Sequence, residues 1–134
     1  MMIDTSFCID VVRERRSGQE GPALRKLGGL GEVRLQMSLF VYCELQHGIH
    51  GASVFAAEQR RIEWLTEFVP VILPDRTYAV MYGMLAAALQ AKGEGIPQMD
   101  LLIGAHAVAL GVPLLTRDHG HFRRIEGLVV ETYG

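Results

Sequence analysis

The sequence predicts an α/β fold in which a short, parallel-stranded central sheet is flanked by helices on both faces. Short apolar stretches of strand length alternate with longer helical segments along the chain. Strands that alternate with helices in this way form parallel sheets whose two faces are covered. No linker-like segment and no internal repeat interrupts the 134 residues, so we expect a single domain covering residues 1–134.

The first half of the chain predicts two strands and four helices. Phe7, Val11 and Val12 share one side of the first helix, Ser38 is a suitable N-cap for the third, and the alternating sequence Val-Arg-Leu-Gln-Met forms the second strand. Three glycines between residues 28 and 31 end the short second helix. The predicted elements are strands 1–3 and 33–37, and helices 5–15, 23–27, 38–49 and 54–68.

The second half predicts three strands, two long helices and a single turn. The first of these helices carries Met81, Met84, Leu85 and Leu89, and the methionines are expected to pack inside. The second is apolar almost all round, which is typical of a buried helix. The predicted elements are strands 69–73, 112–116 and 128–131, helices 75–92 and 98–110, and a turn at 119–124.

Four acidic residues occupy places where a carboxylate is costly. Asp4 and Asp118 follow apolar strands, Glu44 interrupts the apolar segment Ser-Leu-Phe-Val-Tyr-Cys-Glu-Leu, and Asp100 begins the most apolar helix. Burying an unpaired carboxylate costs several kcal/mol. Sites in open α/β sheets gather at the carboxyl ends of strands. We therefore expect the four acids to converge there around something cationic.

Oxygen ligands of this kind suit hard divalent ions, Mg²⁺ or Mn²⁺, better than Zn²⁺. Two such ions can activate water and clamp the attacking and leaving oxygens of a phosphodiester. Each acid also has a simpler interpretation. Asp4 can be an N-cap, Asp100 a partner of its helix dipole, Glu44 a partner of a buried arginine and Asp118 an Asx-turn residue.

Composition favours a folded protein without a membrane span. Hydrophobic residues make up 49% and charged residues 21% of the chain. No apolar stretch approaches the roughly 20 residues that span a bilayer, and the N-terminus lacks a signal-peptide pattern. Cys8 and Cys43 lack metal-site spacing and are expected to be buried, reduced thiols. A cytoplasmic location is the expectation.

The net charge of −2 is modest for a nucleic-acid binder. With the four acids neutralised by metal, however, the rest of the chain carries +2, and local charge decides contact with phosphate. Each basic cluster can equally be ordinary solvated surface. The clusters are Arg13, Arg15 and Arg16; Arg25 and Lys26; Arg60 and Arg61; Arg123 and Arg124.

With these motifs in order, the chain resembles PIN-domain ribonucleases, specifically the toxins of VapBC-type toxin–antitoxin pairs. The resemblance covers nearly the whole chain. Each motif alone is weak, but their order and spacing together are fairly specific. The motifs are Met-Ile-Asp-Thr-Ser at residues 2–6, residues 38–44 with Leu45 and Gly48, Ile-Pro-Gln-Met-Asp-Leu-Leu-Ile-Gly-Ala at 96–105, and Leu-Thr-Arg-Asp at 115–118 followed by Phe122.

The resemblance implies a role for each matching residue. Asp4, Glu44 and Asp100 match the three core acids that hold metal, and Asp118 matches a position with aspartate or asparagine. Ser6 and Thr116 match small hydroxyl residues that border the site. Many relatives have an aspartate before the phenylalanine that matches Phe122, whereas this chain has His121. Occupancy of a second metal position therefore depends on Asp118.

Other residues near the motifs have open roles. Arg117, His119 and His121 are candidate contacts for the substrate, and Arg117 can equally face solvent. His106 lies among apolar residues and is expected to be a hydrogen-bonded core histidine. His47 and His50 are expected near a helix end as caps or surface residues.

The resemblance implies a Mg²⁺- or Mn²⁺-dependent endoribonuclease that hydrolyses transfer or ribosomal RNA and stops translation. It also implies two protein partners: a second copy of the chain and a small VapB-like antitoxin. Four aromatic residues can fill the core or dock that antitoxin, namely Phe40, Tyr42, Phe55 and Trp64.

Two alternatives remain open. One is a PIN nuclease of RNA processing that has no antitoxin. The other is a non-catalytic metal-binding interaction module or a signalling domain that accepts phosphate on an aspartate, for which Asp75 is a weak candidate.

Overall fold

A computed structural model describes residues 1–134. Its centre is a parallel sheet of five two-residue strands, and a single parallel bridge between Met2 and Gln36 joins the three-stranded and two-stranded parts. The spatial order is β3-β2-β1-β4-β5, and every pairing is parallel. The strands are β1 (Met2–Ile3), β2 (Met37–Ser38), β3 (Val71–Ile72), β4 (Leu114–Leu115) and β5 (Val130–Glu131).

Six helices connect these strands, and the predicted α/β class with a short parallel sheet is confirmed. All six helix positions match the prediction to within about two residues at each end, as helix ends usually allow. None of the helices is long and apolar enough to cross a membrane. The helices are α1 (Thr5–Ser17), α2 (Pro22–Gly29), α3 (Leu39–His50), α4 (Phe55–Thr66), α5 (Arg76–Ala91) and α6 (Gln98–Leu110), with a 3₁₀ turn at Phe122–Arg124.

The starts of α3 and α5 are capped by side-chain oxygens. Oγ of Ser38 accepts from the backbone N–H of Phe40, so the predicted N-cap of α3 is present. Oδ1 of Asp75 accepts from the N–H of Tyr78 and caps α5. Each cap satisfies a backbone donor that has no partner inside its helix.

The strands lie at the centre of the hydrophobic core. The strand residues Met2, Ile3, Met37, Leu114 and Leu115 are all fully buried. Helices α1 to α4 pack on one another, and α5 packs along α6.

The helix α6 lies deep in the core, and Gly104 in its middle allows a close approach to a neighbouring segment. A Cβ built on Gly104 would stand 2.3 Å from Cδ1 of Ile125. Glycine at this position therefore lets α6 approach the chain that follows the 3₁₀ turn. The first turn of the same helix carries Asp100.

Several sequence predictions were wrong in detail. The strands are two residues long rather than three to five, and the predicted strand 33–37 shifts to Met37–Ser38 because only these residues pair with β3. Cys43 is exposed on α3, whereas Cys8 is buried as expected. Met84 is 63% exposed rather than packed inside.

Candidate active site

The carboxyl ends of the strands bring distant parts of the chain to one edge of the sheet. Asp4 directly follows β1, Thr116 directly follows β4, and α3, which carries Glu44, begins directly after β2. Because β1 pairs with both β4 and the residue before β2, these three chain segments are neighbours. Parallel strands therefore place the predicted residues at the edge where sites form in such sheets.

Asp4 is the centre of a hydroxyl network. The Thr116 hydroxyl donates to Oδ2 of Asp4 at 2.7 Å, and the Ser6 hydroxyl donates to the same oxygen at 3.2 Å. Asp4 occupies the N-cap position of α1 but makes no side-chain capping bond, which excludes the simple capping role. Its carboxylate faces the site instead.

The electrostatics of Asp4 disfavour its charge. Burial raises the pKa of Asp4 above its ordinary value, and the nearby charge of Asp100 raises it further, against the hydrogen bonds from the Thr116 hydroxyl, the Thr5 backbone and the Ser6 hydroxyl. No basic side chain forms an ion pair with Asp4, which is 7% exposed. A buried carboxylate with only neutral partners, next to a second carboxylate, attracts a cation.

Glu44 and Asp100 are half-buried, and each has one side-chain partner. The Thr5 hydroxyl donates to Oε1 of Glu44 at 2.5 Å, so Glu44 does not pair with a buried arginine. Nδ1 of His121 lies 2.8 Å from Oδ2 of Asp100. Asp100 and Asp4 are close enough for their charges to interact, so the structure brings these two predicted residues together.

Asp118 is exposed at the same edge of the sheet, but its carboxylate is engaged in a local turn. Its Oδ1 accepts from the backbone N–H of Gly120 at 3.1 Å, which is the Asx-turn geometry. Its backbone is tied to Thr116, whose Oγ1 accepts from the Asp118 N–H at 3.2 Å. The residue thus borders the site through its backbone, while its carboxylate serves the turn.

The three candidate substrate contacts differ in their surroundings. Arg117 is exposed, and Nη1 of its guanidinium group donates to both carboxylate oxygens of Asp10, at 3.0 and 2.9 Å. His119 is half-buried and makes no side-chain hydrogen bond. His121 is fixed by Asp100, as described above.

Sequence reasoning missed two buried acids of α1. Asp10 is 3% exposed and receives hydrogen bonds from Arg13, Arg117 and Tyr133. Glu14 receives backbone N–H bonds from Gly21, Ala23 and Leu24, which begin α2. The available signal was their spacing: Asp10 lies three residues after Phe7 and Glu14 three residues after Val11, which places both acids on the buried side of the helix.

His106 has the structural role that the sequence predicted. It is 2% exposed, and its Nδ1 lies 2.7 Å from the hydroxyl of Ser38. Burial lowers the pKa of His106, so the neutral ring is favoured. The histidine ties α6 to the residue that caps α3.

The acidic edge supplies oxygen donors of the kind that hard divalent ions prefer, but its side chains are not arranged as a complete site. The ion pairs of the chain occupy Asp10, Glu58, Glu131 and Asp100, and none of them neutralises Asp4, Glu44 or Asp118. No three Asp, Glu, His or Cys side chains form a ready set of ligands. Glu44 and Asp118 instead make the local bonds described above, so a full ligand set requires these two side chains to turn.

The fold and the acidic edge define a PIN-domain protein. The PIN domain family model matches residues 1–128, and the chain belongs to this family. PIN-domain nucleases as a class depend on divalent metal ions.

Within the family the chain is similar to the VapC proteins. It is 35% identical to ribonuclease VapC1 of Haemophilus influenzae, over 95% of this chain and 92% of that protein. It is 27% identical to the tRNA(fMet)-specific endonuclease VapC of Salmonella typhimurium, over 98% of this chain and 96% of that protein. The VapBC2 crystal structure from Rickettsia felis, bound to a promoter DNA fragment, has a chain that superposes with a TM-score of 0.90. That chain is 25% identical, and the match covers 99% of this chain and 98% of the other.

Proposed function

We propose that this protein is a Mg²⁺- or Mn²⁺-dependent endoribonuclease of the VapC type, which hydrolyses phosphodiester bonds in RNA and is neutralised by a small antitoxin. The observation that carries the proposal is the buried carboxylate of Asp4, which has Asp100 beside it and only neutral hydrogen-bond donors. The similarity to ribonuclease VapC1 over nearly the full length of both chains supports the same activity.

Asp4, Glu44, Asp100 and Asp118 are the residues that would hold the metal. Such an ion supplies an activated water and stabilises the negative charge on the phosphate oxygens. Ser6 and Thr116 keep the Asp4 carboxylate oriented, since both hydroxyls contact one of its oxygens. Thr5 does the same for Glu44.

Asp100→Asn tests the proposal most directly. The substitution keeps the size of the side chain and removes one of the two adjacent charges, so we expect at least a hundredfold loss of Mg²⁺-dependent RNA cleavage. The fold should persist, and the melting temperature without metal should not fall, because repulsion with Asp4 is reduced. A variant that cleaves RNA like the parent at matched Mg²⁺ would exclude Asp100 as a metal ligand.

We propose that the antitoxin binds the groove between α1, α3 and α4. This groove has a volume of about 330 Å³, and Ile9, Leu45 and Ile49 form its apolar floor. Glu44 lies on its wall, so an arginine from a partner segment can reach the acidic edge and replace the positive charge of the metal.

The four aromatic residues predicted to dock an antitoxin divide into two groups. Phe40, Tyr42 and Trp64 are half-buried and pack against the core. Phe55 is 46% exposed and contacts the ring of His50 edge-to-face. Phe55 is therefore the best placed of the four for contact with a partner.

We propose that a second copy of the chain covers an apolar face of α5. Val80 and Met84 lie one turn apart on this helix and are 66% and 63% exposed. Leu73 and Leu110, also exposed, border the cavity at the start of the same helix. Exposed apolar patches of this kind on a folded domain mark interaction surfaces.

The proposed substrate is transfer or ribosomal RNA, whose cleavage stops translation. The printed name of the Salmonella typhimurium relative, a tRNA(fMet)-specific endonuclease, supports transfer RNA. A cytoplasmic location is proposed with this substrate, since these RNAs act in translation. A phosphate-accepting signalling role is disfavoured, because the carboxylate of Asp75 caps α5.

A further inference from the structure

We infer that Arg13 and Arg117 form a phosphate-binding subsite for RNA beside the acidic edge, and that the buried carboxylate of Asp10 positions both guanidinium groups. This inference rests on the proposed ribonuclease function and assigns part of its substrate surface.

The carboxylate of Asp10 is saturated with donors from three parts of the chain. Nη1 of Arg117 donates to both of its oxygens, Nη2 of Arg13 donates to Oδ1 at 2.8 Å, and the Tyr133 hydroxyl donates to Oδ2 at 2.7 Å. Burial and the bond to Asp10 raise the pKa of Tyr133, so this hydroxyl remains a donor. The acid is therefore held from α1, from the end of β4 and from the C-terminal segment.

The two arginines remain open to solvent although one nitrogen of each is fixed. The side chain of Arg13 is 64% exposed and that of Arg117 is 57% exposed, whereas that of Asp10 is 4% exposed. A guanidinium group has five N–H donors in a rigid fork. Only one nitrogen of each group is used by Asp10, so most donors of both groups face outward with a defined orientation.

Unused guanidinium donors, rather than net charge, favour an anion at this place. The two arginines border a cavity of about 260 Å³, which Asp10 and Glu14 also line, so the four side chains together carry no net charge. The two carboxylates are occupied, Asp10 by the arginines and Tyr133, and Glu14 by the backbone N–H groups of Gly21, Ala23 and Leu24. A phosphate that enters therefore meets guanidinium donors that have no other partner.

The pair is also adjacent to the proposed metal ligands. The backbone N–H of Arg117 donates to the Ser6 hydroxyl at 3.1 Å, and that hydroxyl contacts Asp4. An RNA backbone that places one phosphate at the acidic edge can therefore place a neighbouring phosphate on the arginines. Phosphate contacts of this kind fix the register of the substrate.

The test measures binding and cleavage of fluorescein-labelled transfer RNA. Wild-type protein is first assayed for Mg²⁺-dependent cleavage, and absence of cleavage would refute the proposed function itself. Binding is then measured by fluorescence anisotropy across a salt series, with all variants in the Asp100→Asn background. The matched control is Arg34→Gln, an exposed arginine that precedes β2 and so lies at the opposite edge of the sheet.

Arg13→Gln and Arg117→Gln should each weaken RNA binding about tenfold, as expected for loss of a charge-assisted hydrogen bond. Each should also lower the salt dependence by about 0.7–0.9 in the log–log slope, as for one lost phosphate contact. Arg34→Gln should change neither. If Arg13→Gln and Arg117→Gln bind RNA like Arg34→Gln, the inference is overturned. If they weaken the binding of an antitoxin but not the binding of RNA, the two arginines belong to the antitoxin interface instead.

Asp10→Asn separates orientation from charge. The change removes a negative charge beside the RNA, so diffuse electrostatics alone would tighten binding. Positioning by Asp10 predicts weaker binding instead, and equal or tighter binding by a folded variant would overturn the inference.

Arg117→Lys provides a second test at an exposed position if Asp10→Asn does not fold. Lysine keeps the positive charge but lacks the planar set of N–H groups with which a guanidinium group can contact two acceptors at once. We expect this variant to bind RNA several-fold more weakly than the parent, and full retention of affinity would contradict positioning by Asp10.

Discussion

At the scale of single residues, the site depends on which carboxylates have compensating partners. Asp10 and Glu14 are buried, yet each is saturated with donors. Asp4 is equally buried, but its donors are two hydroxyls and the backbone N–H of Thr5, all neutral, and its charged neighbour is an acid. The difference in partners, not in burial, separates a structural acid from a candidate metal ligand.

His121 is the side chain that contacts the candidate metal ligand Asp100. Because its ring contacts Asp100, we expect His121→Ala to weaken Mn²⁺ binding about tenfold, as is typical when a partner that orients a metal ligand is removed. The effect should be smaller than that of Asp4→Ala. Mn²⁺ binding followed by electron paramagnetic resonance measures both.

His119→Ala is the matched control for His121→Ala, because His119 lies two residues away and has no side-chain hydrogen bond. It should leave Mn²⁺ affinity within about twofold. A loss in His121→Ala equal to that in Asp4→Ala would make His121 a direct ligand. A loss no larger than in His119→Ala would remove it from the site.

At the scale of elements, the helix ends are held by side chains from neighbouring elements. The start of α2 is fixed by Glu14 of α1, and the residue that caps α3 is bonded to His106 of α6. These contacts fix where α1 and α3 lie, and α1 and α3 carry Thr5, Ser6 and Glu44 of the candidate site.

Glu14 gives the stability a defined pH dependence. Burial opposes its charge, but three backbone N–H bonds outweigh burial, and the pKa of Glu14 is lowered below 4.5. Its contribution is therefore complete above pH 4.5 and is lost as the pH falls through the lower pKa of the folded state. We expect Glu14→Gln to lower the free energy of unfolding at pH 7 by about 1–3 kcal/mol, measured by urea denaturation.

The deficit of Glu14→Gln should shrink as the pH falls below 4.5, since the parent then loses the same interaction. Glu20→Gln, at an exposed position of the neighbouring loop, is the matched control and should change the free energy by less than about 0.5 kcal/mol. A deficit that is independent of pH would show that Glu14 acts by packing rather than by charge.

At the scale of the whole molecule, two surfaces are open: the groove between α1, α3 and α4, and the apolar face of α5. The first is continuous with the acidic edge through Glu44, and the second includes Val80 and Met84. Regulation by a partner and self-association can therefore occur at different places.

Val80→Lys should shift the protein from dimer to monomer, because a charge on the exposed face of α5 must be desolvated when a second copy covers it. Light scattering after size-exclusion chromatography measures the mass. Val129→Lys introduces the same change at a valine that is 62% exposed on another part of the surface, and it should leave the dimer intact. A wild-type protein that is monomeric at micromolar concentration would contradict the proposed pairing.

Expression of the protein alone should arrest growth, and co-expression of the small protein encoded by the adjacent gene should relieve the arrest. The partner should co-purify with the chain and lower its nuclease activity, since its segment would cover the groove beside Glu44. A neighbour that binds without lowering activity, or growth that continues while soluble wild-type protein accumulates, would favour an RNA-processing nuclease without an antitoxin.

The sequence by itself determined the α/β class, the order of the elements and the strand-end positions of Asp4 and Thr116. These follow from local periodicity and from the alternation of strands with helices. It also indicated the core role of His106, because a lone polar ring among apolar residues needs a buried partner.

Only the tertiary structure decided which polar groups meet. The strands pair over two residues each, too few for local sequence to fix their limits. The bond between Asp10 and Arg117 joins residues 107 positions apart, and that between His121 and Asp100 joins two elements. Such pairings depend on how α1, α6 and the chain after β4 pack, and packing is decided by the whole core rather than by any local pattern.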